Sequence, residues 1–264
     1  MMGGNDQQAY DRGTSLFSPD GRIYQVEYAR EAVSRGAPSV GVRTADGVVF
    51  VAMSRASSTL MEAESIEKLH KLDDHLGTAS AGHVADARQL IDLARRQSQG
   101  NRLRYGEPVG VETLTKFITD HIQENTQRGG TRPYGAALLI GGIEDGEPCL
   151  FAADPSGTPN EWKATVIGGG RKEIQSHLEE EWTEDLSLSA GIELGVAALA
   201  AHDDEFVPGD LAVATITEAD GYRTVPGDDV ADAFEAAGLT TEDADASDAE
   251  DADDDDADTA DDEE

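Results

Sequence analysis

Two rhythms of apolar residues alternate along this chain. From Ile23, the apolar positions Ile23, Val26, Ala29, Ala32 and Val33 recur at three- and four-residue spacing, which predicts a short helix with one buried face. Its other face carries Arg22, Gln25, Arg30 and Glu31. Ser18-Pro19-Asp20-Gly21 just before it is a turn signal, with Ser18 or Asp20 as the cap. The rhythm then becomes strand-like: residues 39–44 and 47–53 read as two strands joined by a hairpin turn at Ala45-Asp46-Gly47. Strands are also expected at 71–73 and 77–81, with Gly82 ending the block. Two helices follow. Val84, Ala87, Leu90, Ile91 and Ala94 form the first apolar stripe, with Asp86, Arg88, Asp92, Arg95 and Arg96 outside it. Val111, Leu114, Phe117, Ile118 and Ile122 form the second. Beyond a glycine-punctuated loop at 129–135, strands are expected at 136–143, 149–153 and 162–167. Helices follow over 171–182 and 188–201, then strands over 211–217 and 222–225. Val230, Ala233, Phe234 and Ala237 mark a last short helix. Strands grouped before pairs of helices favour hairpins and layered α/β packing over alternating crossovers. The order is compatible with helices covering two stacked antiparallel sheets.

Composition narrows this picture. With 264 residues, 38% of them hydrophobic, one α/β domain of roughly 200 residues is the natural expectation. No apolar run approaches the ~20 residues of a membrane span. The start, Met1-Met2-Gly3-Gly4-Asn5-Asp6, lacks a basic segment leading into an apolar one, so no signal peptide is expected. The single cysteine, Cys149, excludes an internal disulfide, fits a reducing cytoplasm and reads as a small buried apolar residue in a strand. Net charge is −34. Residues 242–264 hold 15 Asp/Glu and no base, yet the remainder still has 39 acids against 20 bases. Such a surface repels nucleic acid and anionic membranes, so neither is an expected partner. In molar salt the screening length falls to ~3 Å and the self-repulsion becomes tolerable, which points to a halophilic cytoplasm. From Thr240 the chain is expected to be a disordered acidic tail.

One stretch is more specific than any pattern. Tyr10-Asp11-Arg12, then Phe17-Ser18-Pro19-Asp20-Gly21-Arg22, then Gln25-Val26-Glu27-Tyr28-Ala29 resembles, without a gap, the N-terminal signature of archaeal, and in particular haloarchaeal, proteasome α-type subunits. The resemblance covers roughly residues 9 to 235. It implies a four-layer αββα sandwich of the N-terminal-nucleophile hydrolase fold, preceded by a helix lying across the top of a seven-membered ring. It implies three segments: a gating arm and ring helix (1–36), the αββα domain (37–239) and the acidic tail (240–264). It also implies the role of an outer-ring subunit of a 20S core. That subunit would gate the passage of unfolded protein substrates and dock a proteasome-activating ATPase. Its partners would be copies of itself and a β subunit; whether a second α type shares the ring stays open.

The resemblance carries over residue by residue. Tyr10, Asp11, Pro19 and Tyr28 match the cluster that holds the family's arm open. Lys68, Gly36 and Gly82 match a pocket in which the lysine would pair with the C-terminal carboxylate of an ATPase. Such a charge-assisted contact can be strong when partly desolvated. His83 departs from the aliphatic residue expected after that glycine. Arg128-Gly129-Gly130-Thr131-Arg132-Pro133-Tyr134-Gly135 matches the loop that forms a constricted ring below the gate; glycines permit the close backbone approach this needs. Without the resemblance, Lys68 reads as a solvated charge beside Glu64, and the loop as an ordinary connection.

The same comparison bears on catalysis. An active member of the fold begins its mature chain with threonine, whose amine serves as base. Gly13-Thr14 could mark a cleavage point, but the first lysine of the chain is Lys68, too far for the charge-tuning role. Aligning Ser39-Val40-Gly41-Val42 with the first strand of a catalytic sister puts Ala37 at the nucleophile position and Ser54 near the acidic one. Only Lys68 of the three components survives, so no catalytic residue and no intrinsic peptidase activity are expected. Gly168-Gly169-Gly170-Arg171-Lys172 lacks the spacing of a nucleotide cradle and reads as a turn opening a helix. The six histidines show no metal-ligand spacing with one another or with Cys149. No metal and no cofactor are expected.

Overall fold

The computed structural model describes residues 17–18, 21–56, 58, 60–62, 65–128, 130–203 and 205–240. Helix α1 (Tyr24–Ser34) leads into the hairpin β1 (Ser39–Arg43) and β2 (Gly47–Met53), then β3 (Leu69–Asp73) and β4 (Leu76–Gly82). Helices α2 (Val84–Tyr105) and α3 (Val111–Gln127) precede β5 (Ala136–Glu144), β6 (Glu147–Ala153), β7 (Pro159–Glu161) and β8 (Ala164–Ile167). Helices α4 (Arg171–Glu181) and α5 (Leu188–Ala200), strands β9 (Leu211–Thr217) and β10 (Gly221–Thr224), and α6 (Gly227–Ala236) complete the order.

The strands form two five-stranded sheets, β10-β9-β2-β1-β8 and β3-β4-β5-β6-β7. Every described pairing is antiparallel, as hairpin-linked strands allow. The layers run helix, sheet, sheet, helix, the αββα sandwich that the resemblance implied. Between the sheets, Val48, Phe50, Ala79, Leu139, Leu150 and Ile216 make a buried apolar core. Outside the first sheet, Val40, Val42, Val49 and Val51 meet Ile174, Leu178, Val196 and Leu199 of α4 and α5. Outside the second, Leu138 and Ile140 meet Leu90, Ile91, Leu114 and Ile118 of α2 and α3. Because β2 is covered on both faces, its run of apolar residues is buried throughout, with no polar alternation. Gly41 and Gly141 let the sheets close: a Cβ at Gly41 would stand 2.9 Å from Leu150, and one at Gly141 2.8 Å from Val48.

Several sequence expectations needed correction. The strand expected over 162–167 divides between the sheets. The Trp162 N–H donates to the Leu150 carbonyl in one sheet, while the Lys163 carbonyl accepts from the Arg43 N–H in the other. The chain therefore crosses the sandwich between Trp162 and Lys163, and β7 belongs to the second sheet. Ser18 does not cap α1. Its Oγ accepts from the Arg22 N–H (3.1 Å) and closes the preceding turn, while the N-cap is Ile23. Ala32 is exposed; the buried face of α1 is Val26, Ala29 and Val33, packed toward β4 and β5. Val84 is exposed because it opens α2 ahead of the sheet contact, whereas Asp86 is buried. Cys149 is half-buried in β6 at the margin of a core cluster. Burial, with Glu144 and Glu161 nearby, pushes its thiol pKa up, which keeps it a weak nucleophile. No described helix is long and apolar enough to cross a membrane.

Candidate functional site

Gly36, Lys68 and Gly82 are far apart in sequence and come together at the start of β1. The chain leaves α1 at Arg35 and reaches β1 through Gly36-Ala37-Pro38. A Cβ on Gly36 would meet the Gly82 main chain, and one on Gly82, which has φ +96°, would meet the Gly135 carbonyl. Both glycines are needed for this close approach. The Lys68 Nζ lies over the same turn, donating to the Ala37 carbonyl at 2.5 Å and to the Pro38 carbonyl at 3.3 Å. Among the described residues it forms no ion pair, and burial pulls its pKa down to about 8. Glu64, the alternative partner, lies outside the described residues.

Ala37, expected at the nucleophile position from the alignment with a catalytic sister, presents only a methyl group at this corner. Ser54, expected near the acidic position, donates from its Oγ to the Asp210 carbonyl (3.3 Å) and offers no charge. The Gly168–Gly170 turn backs the corner from below. The Gly169 N–H donates to the Gly36 carbonyl at 2.8 Å, and a Cβ on Gly168 would stand 2.9 Å from that same oxygen. Gly168 and Gly169 thus serve main-chain packing, and Gly170 makes room for the His202 ring, in agreement with a turn opening α4.

Of the residues expected to form a gate, Tyr10, Asp11 and Pro19 lie outside the described residues. Tyr28 sits exposed on α1. Arg30 of that helix pairs with Asp154 after β6 at 2.8 Å and with Glu27 at 2.9 Å, tying α1 to the body.

The loop read from 128 to 135 divides in two; Gly129 is outside the described residues. Arg128, Gly130 and Arg132 are exposed, whereas Pro133, Tyr134 and Gly135 are buried. The Tyr134 hydroxyl lies 3.1 Å from His121 Nε2 of α3. The Thr131 hydroxyl donates to the Asn125 and Arg128 carbonyls at 2.9 and 2.8 Å. The remaining partner is Asp86, which helical periodicity assigned to solvent. Its carboxylate accepts both terminal nitrogens of Arg132 and the Gly135 N–H. Nothing local in the sequence marks Asp86; the only signal is an acid in the first turn of a helix, which the helix dipole would explain equally well.

Desolvation alone would raise the Asp86 pKa. Hydrogen bonds from Arg132 and the Gly135 N–H, with the charges of Arg132 and His83, outweigh it and hold the carboxyl below its usual value. A carboxylate with a lowered folded pKa contributes stability above the unfolded pKa of about 3.9 and loses it as pH falls through the folded value. The stability difference between the parent chain and Asp86→Asn should therefore be constant near neutrality and shrink in that acid window. Chemical denaturation of both chains as a function of pH measures it.

The comparisons with known proteins agree with this architecture. Residues 33–216 match the family of proteasome subunits, and residues 10–32 match the N-terminal signature of its A-type members. The chain is 63% identical over 247 residues to the proteasome alpha 2 subunit of Haloferax volcanii, covering 94% of this chain and 98% of that protein. It is 57% identical over 251 residues to the proteasome alpha subunit of Natronomonas pharaonis, with 94% and 98% covered. To the proteasome alpha 1 subunit of Haloarcula marismortui it is 58% identical over 259 residues, with 94% and 100% covered. A two-sheet sandwich with helices on both outer faces and this N-terminal signature defines the class, and the chain belongs to the family of proteasome subunits, in its α-type branch.

Proposed function

We propose that this chain is a non-catalytic α subunit of a 20S proteasome core. It forms the outer seven-membered rings, restricts the passage of unfolded proteins to the proteolytic chamber and docks an activating ATPase. The observation that carries the reading is the corner at β1. Lys68 remains there, but Ala37 supplies no nucleophile and Ser54 no carboxylate, and the lysine donates to main-chain carbonyls. Without a hydroxyl or thiol next to a base, no acyl-enzyme can form at that position. The matched N-terminal signature at residues 10–32 supports the gating part, because it spans the arm and α1. Peptidase activity then belongs to the assembled complex through its β subunit. Haloferax volcanii has proteasome subunits named alpha 1 and alpha 2, both similar to this chain, so mixed rings are one form the assembly could take.

Native mass spectrometry in high salt, with a peptidase assay on the same sample, tests the reading. Expected is an inactive species of about seven subunits, single or stacked, that yields an active core once the β partner is added. Removing residues 2–12 from such cores should raise basal peptide cleavage, and an unchanged rate would mean that the arm is no gate. A peptide-cleaving monomer would overturn the proposal.

A further inference from the structure

In the loop before β5, the stretch 132–135 is fastened to the body at both ends by one buried carboxylate. At one end, both terminal nitrogens of Arg132 lie on the Asp86 carboxylate, Nη1 to Oδ2 at 2.5 Å and Nη2 to Oδ1 at 2.7 Å. At the other, the Gly135 N–H donates to the same Oδ2 at 2.8 Å, and the Gly135 carbonyl accepts the His83 N–H at 2.8 Å. Asp86 is only 3% exposed, although the Arg132 side chain it holds is largely in solvent. A planar guanidinium held in two bonds by one carboxylate has its orientation set as well as its distance. Gly130, at φ +86°, has much conformational freedom to lose. The bonds of Thr131 to Asn125 and of Tyr134 to His121 hold the loop to α3, but neither orients Arg132.

We infer that Asp86 is the positioning residue of this loop: through Arg132 and the Gly135 N–H it sets where residues 130–132 stand, and so how bulky a chain can pass them. This rests on the proposed role in restricting passage, with this loop as the constriction that the resemblance implies. Asp86 touches no substrate; it acts through the two groups it holds. Gly135 also backs onto Gly82, and Gly82 onto Gly36, so the loop's inner end packs against the Lys68 corner.

The test uses assembled cores with the β partner present and residues 2–12 removed, so that the arm does not limit passage. The readout is the turnover of an unfolded polypeptide carrying an internal disulfide loop, divided by the turnover of a tetrapeptide. Asp86→Asn should raise this ratio by about threefold or more, because the asparagine amide cannot hold the guanidinium in two acceptor bonds. Arg132→Gln should raise it similarly, and it leaves the bond from Asp86 to Gly135 intact should Asp86→Asn impair assembly. A role in stability alone would lower core yield without moving the ratio. Deleting Gly129 and Gly130 separates the two ideas. If that deletion moves the ratio and neither point variant does, Asp86 does not position the loop. If the deletion too leaves the ratio unmoved, the loop is no constriction.

Discussion

Lys68→Ala should remove stimulation of peptide cleavage by the activating ATPase while basal cleavage by the assembled core persists. The Lys68 ammonium has three protons to donate, and two are turned to the Ala37 and Pro38 carbonyls. The third is left for an incoming carboxylate. A charge-assisted bond of this kind is worth about 1.5–3 kcal/mol, or roughly 10- to 100-fold in docking. The fold should tolerate the change. The Pro38 carbonyl keeps the Met53 N–H (3.0 Å), and the exposed Ala37 can turn its carbonyl to water. Docking should also depend on pH. With a folded pKa of about 8, the lysine loses its charge as pH rises above that value, and stimulation should fall with it. Stability should move the other way. The folded pKa lies below the unfolded value of about 10.4, so the folded state binds fewer protons between the two and gains stability across that window. Lys68→Arg should flatten both dependences, since a guanidinium stays charged throughout. Stimulation that survives Lys68→Ala would refute the pocket.

Gly82→Ala should be the more damaging change to the fold itself. At φ +96° a side chain is strained by roughly 1–2 kcal/mol. The added Cβ would press on the Gly135 carbonyl and stand 3.1 Å from the Val33 Cα, main-chain atoms that cannot swing aside as a side chain can. Overpacking of this kind costs typically 1–3 kcal/mol more. A combined loss of about 2–5 kcal/mol is a large part of a domain's 5–15 kcal/mol. It should appear as a clear drop in the unfolding midpoint of the isolated chain in high salt. The same clash would separate α1 from the 135 end of the loop, so cores that still assemble should lose ATPase stimulation as well. A midpoint equal to that of the parent chain would show that this corner is looser than its contacts indicate.

The regular elements were largely legible because each carries its own period. Strands β2 and β9 begin and end where the sequence placed them, and α2 and α3 bury their apolar stripes apart from Val84 and the partly buried Phe117. Two of the failures are non-local, and the third is a local competition. Trp162 and Lys163 are adjacent and both extended, so nothing local says that one serves each sheet. Asp86 falls outside the apolar arc of α2, and its burial depends on an arginine 46 residues away. Ser18 had the right chemistry for a cap but spends it on the Arg22 N–H within its own turn.

By itself, the sequence determined the layered α/β character, the acidic surface and the α-type signature across the arm and α1. It also settled that Ala37 has no hydroxyl. These are properties of composition, period and residue identity, which need no partner in space. Only the tertiary structure decided that Lys68 faces the Ala37 carbonyl from 31 residues away and that Gly36 rests on Gly82. It also showed that one buried carboxylate holds both ends of the 132–135 segment. Those contacts exist because stacking two sheets brings the start of β1, the end of β4 and the loop before β5 to one corner, and hydrophobic closure of the sandwich, which is non-directional, leaves no local trace of which residues will meet there.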